Sequence, residues 1–562
     1  MPCGRYELDL CALVLEDHFG PTVSRVGIKV LRERLALAVI AQQLSHPVET
    51  RIPLKRIKRA LAILEHHNLL NIKQDASFRV TYSLDPQSVL DIMAFPRACF
   101  TAKTMYGTAA EVICEELALT GRAHCSEIIR RVRERIGIPG EEVKKKFIML
   151  AESQFLIRLA PVECRIRGAP KLAEAWERFT MPDVIAPIRD ATNYEIEQAE
   201  AMENEDEDIK PDLAALKAAM RKRKANGKEA QNPQQPKEDP DVKVVWRLNM
   251  IKFRRYFRDR LVLELVCGKA EVAAPPTDLP STTRNVVYAM RALVRLAEKK
   301  SPNPCALSTP PITLMEIMNE AKHNHLPIEK RDMEWAFETI VEESHGIVRK
   351  VGDSGGGLLV LDFERAIAQA VEVHVDSLLR EQIDSKAIRI RRLLEKRGYL
   401  EEDSIDKAVM LSPKQTRDLL YKMAEESYVF IKSFGKTTDM APARTICLYH
   451  VDTPQTVRCI VETTTQMLRN LIARRLFLEK ENAPLLERQT KMEVITFTMS
   501  EEELEQQRQE IEDLYMPPSV KKGLEEFKKS LVLLNSSEVE VESVLFTLKL
   551  FLEHASKRMP QK

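Results

Sequence analysis

A chain of 562 residues is too long for one hydrophobic core, so several domains are expected. A hydrophobic content of 44% with 30% charged residues describes a soluble globular protein with a heavily charged surface, while 6% aromatic residues and only 18 glycines exclude an all-β protein and predict one dominated by helix. The 85 basic and 84 acidic residues nearly cancel to a net charge of +1, which excludes a uniformly basic nucleic-acid coat and confines any DNA contact to local patches.

The chain opens MPCGRYELDL, without the apolar stretch of a signal peptide, and contains no run of 18 apolar residues. The 10 cysteines are scattered singly, with no CxxC pair and no spacing with histidine that would close a zinc site. Reduced thiols, no metal, no cofactor, no membrane and a cytosolic or nuclear location are therefore expected.

Helical apolar patterns come first, over Leu8 to Phe19 and Leu35 to Leu44, followed by a third at Ile57, Leu61 and Leu64. The third ends in His66-His67-Asn68-Leu69-Leu70-Asn71-Ile72-Lys73 and then an extended run to Phe78-Arg79-Val80-Thr81-Tyr82. That ending recurs. Phe147 and Leu150 precede Glu152-Ser153-Gln154-Phe155-Leu156-Ile157-Arg158; Phe337 and Val341 precede Glu343-Ser344-His345-Gly346-Ile347-Val348-Arg349; Leu419 and Met423 precede Glu426-Ser427-Tyr428-Val429-Phe430-Ile431-Lys432. The third copy continues to Leu358-Leu359-Val360-Leu361 and the fourth to Ile446-Cys447-Leu448-Tyr449-His450, whereas the second has no obvious second strand. Three helices followed by a two-stranded wing make a winged helix, whose last helix can enter the major groove.

Between the second and third copies, from about Pro161 to Asp241, the chain carries Glu203-Asn204-Glu205-Asp206-Glu207-Asp208, Arg221-Lys222-Arg223-Lys224 and Asn232-Pro233-Gln234-Gln235-Pro236. Such a composition cannot bury enough apolar surface to offset its ordering entropy, so a partly disordered linker is expected there. Its basic run reads as a solvated helix face or a nuclear localisation signal. After Thr453 the pattern is of long helices. Val457, Ile460, Thr464, Met467, Leu471 and Leu478 are answered, beyond a break at Met516-Pro517-Pro518, by Leu524, Phe527, Leu531 and Leu534, and a terminal helix runs through Val541, Val544, Leu548 and Phe551. An antiparallel coiled-coil hairpin is the simplest solution.

The predicted fold is thus mainly α with small β wings: four tandem winged helices and a C-terminal antiparallel coiled coil. The expected divisions are 1–85, 86–162, the linker 163–240, 241–370, 371–453 and the hairpin 454–562.

Motifs that would carry catalysis are few. Gly352-Asp353-Ser354-Gly355-Gly356 matches the nucleophile loop of chymotrypsin-like proteases, and Ala123-His124-Cys125 offers a base upstream. That chemistry needs serine, histidine and a buried aspartate assembled on two β-barrels, and here the serine sits in a turn of a mainly helical module. Glycines that permit positive φ in a tight wing turn explain the motif better. No phosphate loop, HExxH or GxSxG is present, and His66-His67 and His323 with His325 lack a third ligand.

Basic clusters recur at Lys55-Arg56 with Lys58-Arg59, Arg130-Arg131 with Arg133 and Arg135, and Lys144-Lys145-Lys146. Others are Arg254-Arg255 with Arg258 and Arg260, and Arg389 with Arg391 and Arg392. On a winged helix, a basic last helix neutralises phosphates and fixes orientation on a duplex; the competing role is ion pairing with the equally abundant acids. Lys55, Arg56, Lys58 and Arg59 fit the DNA role best, with Lys144, Lys145 and Lys146 next. Asn and Gln are sparse beside them, so base-specific readout is not expected.

The chain resembles the family of the third-largest subunit of RNA polymerase III. The residues that carry the resemblance are Glu16-Asp17-His18-Phe19-Gly20, the Gly352 to Gly357 turn, and Ala441-Pro442-Ala443-Arg444-Thr445 running to Leu448-Tyr449. To these are added Asn470-Leu471-Ile472 with Arg474-Arg475, Glu479-Lys480-Glu481-Asn482 and Leu485-Leu486-Glu487. The family is similar to the large subunit of the polymerase II initiation factor E. The resemblance implies a nuclear, non-catalytic subunit that forms a heterotrimer with two smaller polymerase III subunits, one winged-helix and one acidic-tailed. It further implies a seat on the clamp of the largest subunit, promoter DNA (single-stranded DNA included) and transcription factor IIIB as partners, and a role in initiation and promoter opening. Two rival readings are a free sequence-specific regulator, which would select a DNA site by itself, and a serine hydrolase using Ser354.

Overall fold

The computed structural model describes residues 4–44, 52–74, 80–159, 179, 244–273, 278–301, 303, 305–324, 326–435, 445–498 and 517–558. The linker expected at 163–240, with all its charge runs, lies outside them apart from residue 179, as do His325, Phe78-Arg79, Ala441 to Arg444 and Met516. Two compact units are formed, one from Met1–Leu61, Leu70–Ala94 and Ile251–Lys562, the other from Ala62–Leu69 and Phe95–Met250.

The first module starts with α1 (Arg5–Phe19) and α2 (Pro21–Arg32), then β1 (Leu35–Ala36), α3 (Leu37–Gln43), α4 (Leu54–His66), β2 (Leu70–Gln74) and β3 (Val80–Leu84). The sheet order is β1-β3-β2, all antiparallel. This corrects the sequence reading in two places. The first of the three helices is α2, with α1 an addition in front of it, and Leu35–Ala36 is a strand rather than the start of a helix. Pro21 opens α2 because its missing N–H is not needed at a first helical position, and Gly20 at φ +83° makes the corner. Buried Val23, Val26, Val30 and Leu31 then recur at helical spacing. A short helix α5 (Pro86–Leu90), capped by the Asp85 carboxylate, closes the module.

In the second unit α6 (Phe95–Tyr106), α7 (Thr108–Thr120), α8 (Cys125–Ile136) and α9 (Gly140–Glu152) lead into β4 (Leu156–Leu159). The strand that the second copy seemed to lack is β5 (Val245–Leu248), which pairs antiparallel with β4 from the far side of residues 160–243. The reading placed these residues in the third module; their pairing puts them in the second. Trp246 explains the choice, being fully buried with its ring edge-on to Phe147 at 5.4 Å, and it bridges Ala123 in the position of a third strand.

The third module follows with α10 (Met250–Cys267), α11 (Lys269–Ala273), α12 (Ser281–Lys300), β6 (Ile312–Thr313), α13 (Leu314–His323), α14 (Lys330–Glu343), β7 (Val348–Gly352) and β8 (Leu358–Leu361). Its sheet order is β6-β8-β7, and a Thr313–Glu316 capping box starts α13. The fourth contains α15 (Phe363–Gln382), α16 (Ser385–Arg397), α17 (Glu402–Val409), α18 (Pro413–Glu425), β9 (Phe430–Gly435) and β10 (Thr445–His450), with Leu400 bridging Tyr449 as its third strand position.

The repeated sequence ending now has a physical origin. At the end of the last helix of each module one non-glycine residue adopts positive φ: Asn68 (59°), Gln154 (67°), His345 (51°) and Ser427 (60°). In three of them the next N–H reaches back to the carbonyl five residues before, Leu69 to Leu64 at 3.0 Å, Phe155 to Leu150 at 3.0 Å and Tyr428 to Met423 at 2.8 Å. This is a Schellman-type stop whose apolar residue turns back onto the helix and sends the chain into the wing.

Beyond Thr453 stand α19 (Thr453–Glu481), α20 (Ala483–Thr498) and α21 (Pro518–Arg558). Leu548 packs in the cluster with Val457 and Ile460, Arg475 Nε lies 3.0 Å from Glu538, and Leu524 and Phe527 pack with Leu478, Leu485 and Leu486. Rising numbers on one side meet falling numbers on the other, so α19 with α20 runs antiparallel to α21. The terminal helix expected separately through Val541 is the second half of α21, which is continuous from Pro518 to Arg558. Within this unit α21 also reaches the other modules. Leu550 joins the core of the third, Phe546 meets Phe257 edge-on at 6.1 Å, and Lys549 Nζ bonds Glu7 of α1 at 2.6 Å.

Candidate nucleic-acid interface

The third helix of a winged helix is the one that can enter a groove, so its outward side chains decide what the module can hold. In α4 the buried stripe is Ile57, Ala60, Leu61 and Leu64. Lys55, Arg56, Lys58 and Arg59 fall between these positions and are all exposed. None has an ion-pair partner among the described residues, and Lys73 adds a further exposed cation on β2. Lys144, Lys145 and Lys146 occupy the equivalent helix, α9, in the other unit, around the buried Val143 and Phe147. Lys145 is exposed, Lys144 and Lys146 are half-buried, and they too lack ion-pair partners among the described residues.

The other basic clusters are largely neutralised. Arg131 and Arg135 on α8 pair with Glu127, Glu115 and Glu116, and Arg130 with Glu134. Arg254 pairs with Asp91, Arg260 with Glu264, and the buried Arg258 with Asp259, its guanidinium 3.8 Å from the centre of the Phe363 ring. Arg391 and Arg392 clasp one carboxylate, Asp376, through nitrogens 2.7–2.9 Å away. Of these, Arg131 and Arg135 tie α8 to α7, Arg254 ties α10 to Asp91, and Arg391 and Arg392 tie α16 to α15, so their charge is met within the protein. Sequence alone could not separate the two kinds of cluster, because the partner acids lie up to 163 positions away.

One surface escaped the sequence reading. In the β9–β10 ribbon, Phe430, Lys432 and Phe434 alternate on one face, opposite His450, Leu448 and Ile446. Tyr399, which follows Lys396 and Arg397 at the end of α16, stacks on His450 with centroids 4.7 Å apart. Lys432 Nζ stands 5.6 Å from the Tyr399 ring and 5.5 Å from that of Phe434. Tyr399 is 51% exposed and Phe434 48%, so rings and cations are presented together. The available signal was the alternation of aromatic and basic residues along Phe430 to Phe434, which core packing mimics.

The Gly352 to Gly357 segment is a wing turn. A 3-10 turn at Ser354–Gly356 connects β7 to β8, with Gly356 at φ +90° and Gly357 at +123°, conformations that demand glycine. Lys350 and Asp353 pair across it at 2.6 Å. His124 belongs to the second unit, where its Nδ1 lies 3.0 Å from the Val244 carbonyl oxygen. Among the described residues no cluster of histidine, cysteine and carboxylate side chains could hold a metal ion, and no helix is long and apolar enough to cross a membrane.

Three family models match along the chain: the RNA polymerase III subunit RPC82 helix-turn-helix domain at residues 9–72, the RNA polymerase III subunit RPC82 at 145–370, and the POLR3C C-terminal winged-helix domain at 375–451. The chain is similar to the DNA-directed RNA polymerase III subunit RPC3 of Mus musculus, 28% identical over 573 residues that cover 98% of this chain and 99% of that one. The Homo sapiens protein of the same description is 28% identical over 571 residues, with 98% and 99% covered. That of Danio rerio is 27% identical over 564 residues, with 97% and 98% covered. With models of a single subunit matching from the first module to the fourth and relatives aligned along almost their whole length, the chain belongs to the RPC3 (RPC82) family of RNA polymerase III subunits.

Proposed function

We propose that this protein is a nuclear subunit of DNA-directed RNA polymerase III, without an active site of its own, that guides promoter DNA during initiation and opening. The observation that carries the DNA role is the exposed, unpaired cation set Lys55, Arg56, Lys58 and Arg59 on the third helix of the first module, in a chain whose other arginine clusters are mostly consumed by internal acids. Contacts of that kind go to phosphates, so the affinity is salt-sensitive and sequence-tolerant. Lys144, Lys145 and Lys146 serve the second module in the same way. The Tyr399, Phe430, Lys432 and Phe434 surface suits single-stranded DNA, since rings stack on bases of any identity and nearby cations meet the backbone.

The remaining partners in this reading are the clamp of the largest polymerase subunit, the two smaller polymerase III subunits and transcription factor IIIB. The domain division is that of four winged helices and a helical hairpin, with residues 245–248 assigned to the second module. The rival free regulator would be expected to add amide side chains that read adenine, and the two cation-bearing helices contain neither Asn nor Gln.

The test is DNA binding by the full chain with Lys55, Arg56, Lys58 and Arg59 all changed to alanine. These residues are exposed, so folding is expected to be unaffected, while the slope of log affinity against log salt falls by roughly 3 to 4 as the phosphate contacts go. An unchanged slope and affinity would remove the DNA role from this helix.

A further inference from the structure

The third helices of the four modules share one fold position and differ sharply in charge. Where α4 bears Lys55, Arg56, Lys58 and Arg59, α14 bears five carboxylates, Asp332, Glu334, Glu338, Glu342 and Glu343, against Lys330 and Arg331. Lys330 is paired with Glu334 at 3.7 Å. The outward stripe of α14, at spacings of four, three and four, is Arg331, Trp335, Glu338 and Glu342, all exposed. The Trp335 side chain is 44% exposed, whereas Trp246 is fully buried. The side chains of Trp335, Glu342 and Glu343 have no hydrogen-bond or ion-pair partner among the described residues, and Glu338 has only the field of Lys350 on β7, whose ammonium is bonded to Asp353.

A helix of this charge repels phosphate, so the groove-reading position of the third module is unsuited to DNA. An exposed indole set between carboxylates has a chemistry of its own. Tryptophan is among the residues that most often anchor interfaces, its face attracts ammonium and guanidinium groups, and carboxylates one turn away complete the pairing. We propose that the outer face of α14 is a protein-docking surface for a lysine- and arginine-bearing segment of another subunit of the assembly, with Trp335 as the anchor and Glu338 and Glu342 as its charge partners. The proposal rests on the reading of the chain as a polymerase subunit. It divides the labour of one fold by charge: the first module faces nucleic acid and the third faces protein.

The test uses the full chain, tagged and expressed in its own cells. A photo-crosslinking amino acid replaces Trp335, the assembly is purified and irradiated, and the linked peptide is identified by mass spectrometry. In parallel, Trp335→Ala, Trp335→Phe and Glu338→Lys with Glu342→Lys are compared with the unchanged chain for the salt concentration that releases it from the polymerase. The expected result is a crosslink to a protein segment rich in lysine and arginine. Release at lower salt is expected for Trp335→Ala and for the double reversal, with Trp335→Phe recovering most of the loss and melting temperatures unchanged because these side chains are exposed. Removing an interface anchor typically weakens binding by about 30-fold or more. A crosslink to DNA, to an acidic or neutral segment, or to nothing in an intact assembly overturns the proposal, as does unaltered release by both sets of variants. Failure of the unchanged chain to bring down the polymerase would be a separate result, removing the subunit reading and this proposal with it.

Discussion

Burial decides what a single charge does in this protein. Asp376 on α15 accepts from Arg391, itself almost fully buried, and from the exposed Arg392. Asp376→Ala would leave Arg391 with only Glu395 at 3.3 Å, and stranding a buried charge costs roughly 3–5 kcal/mol, so calorimetry should find the variant strongly destabilised. Lys330→Ala, which removes a pair one helical turn apart between the exposed Lys330 and the half-exposed Glu334, should cost no more than about 0.5 kcal/mol. His554 on α21 is 2% exposed and neither ring nitrogen has a hydrogen-bond partner among the described residues. Burial, then the nearby Lys557 and Arg258, lower its pKa from 6.5 to about 4, with Asp362 acting weakly the other way. The neutral ring is therefore favoured in the folded state, and its contribution is complete above pH 6.5 and lost as pH falls towards about 4. The stability difference between the native chain and His554→Leu should shift with pH in that window by up to about 3 kcal/mol. A difference independent of pH would show that the ring titrates normally.

At the scale of elements, the turn that ends each third helix carries the fold from helix to wing. Gln154 holds φ +67° without being glycine, and its backbone carbonyl accepts from the Asn249 side chain at 2.8 Å. Gln154→Gly keeps that bond and relieves the backbone, so a gain of about 0.5–1 kcal/mol is expected, while Gln154→Val, branched at Cβ, should lose about 1–2 kcal/mol. Thermal unfolding of the two variants in opposite directions checks the strain. The same turn is why the repeat was legible: in three of the four copies a polar residue at positive φ is followed by two apolar ones, and in the third copy His345 is followed by Gly346, Ile347 and Val348. Helix α2 was missed although its apolar spacing is regular, because Gly20-Pro21 reads as a turn and only the structure shows that it is both the end of one helix and the start of the next. β5 was misplaced for a different reason. Strand pairing is a long-range property, and the 85 positions between Leu159 and Val245 carry no trace of it.

In the whole molecule, the long helical hairpin organises the unit that contains the first, third and fourth modules. Arg475 of α19 bonds Asp17 of α1 at 2.7 Å and Glu538 of α21 at 3.0 Å, and α21 contributes Leu548 and Leu550 to the cores of two modules. That arrangement positions helices and wings. It was readable in outline, since the apolar spacing after Thr453 and the four repeated endings both lie in the sequence. What the hairpin touches was not, because Glu7, Asp17 and Lys549 are isolated charges until folding brings them together.

The central claim is that the chain works inside RNA polymerase III. It is tested most directly by tagging the chain in its own cells, purifying it at moderate salt and identifying by mass spectrometry what accompanies it. Recovery of the polymerase III core with two smaller polymerase III-specific subunits is the expected result. Recovery of the chain alone, or with proteins unrelated to that polymerase, would contradict the claim.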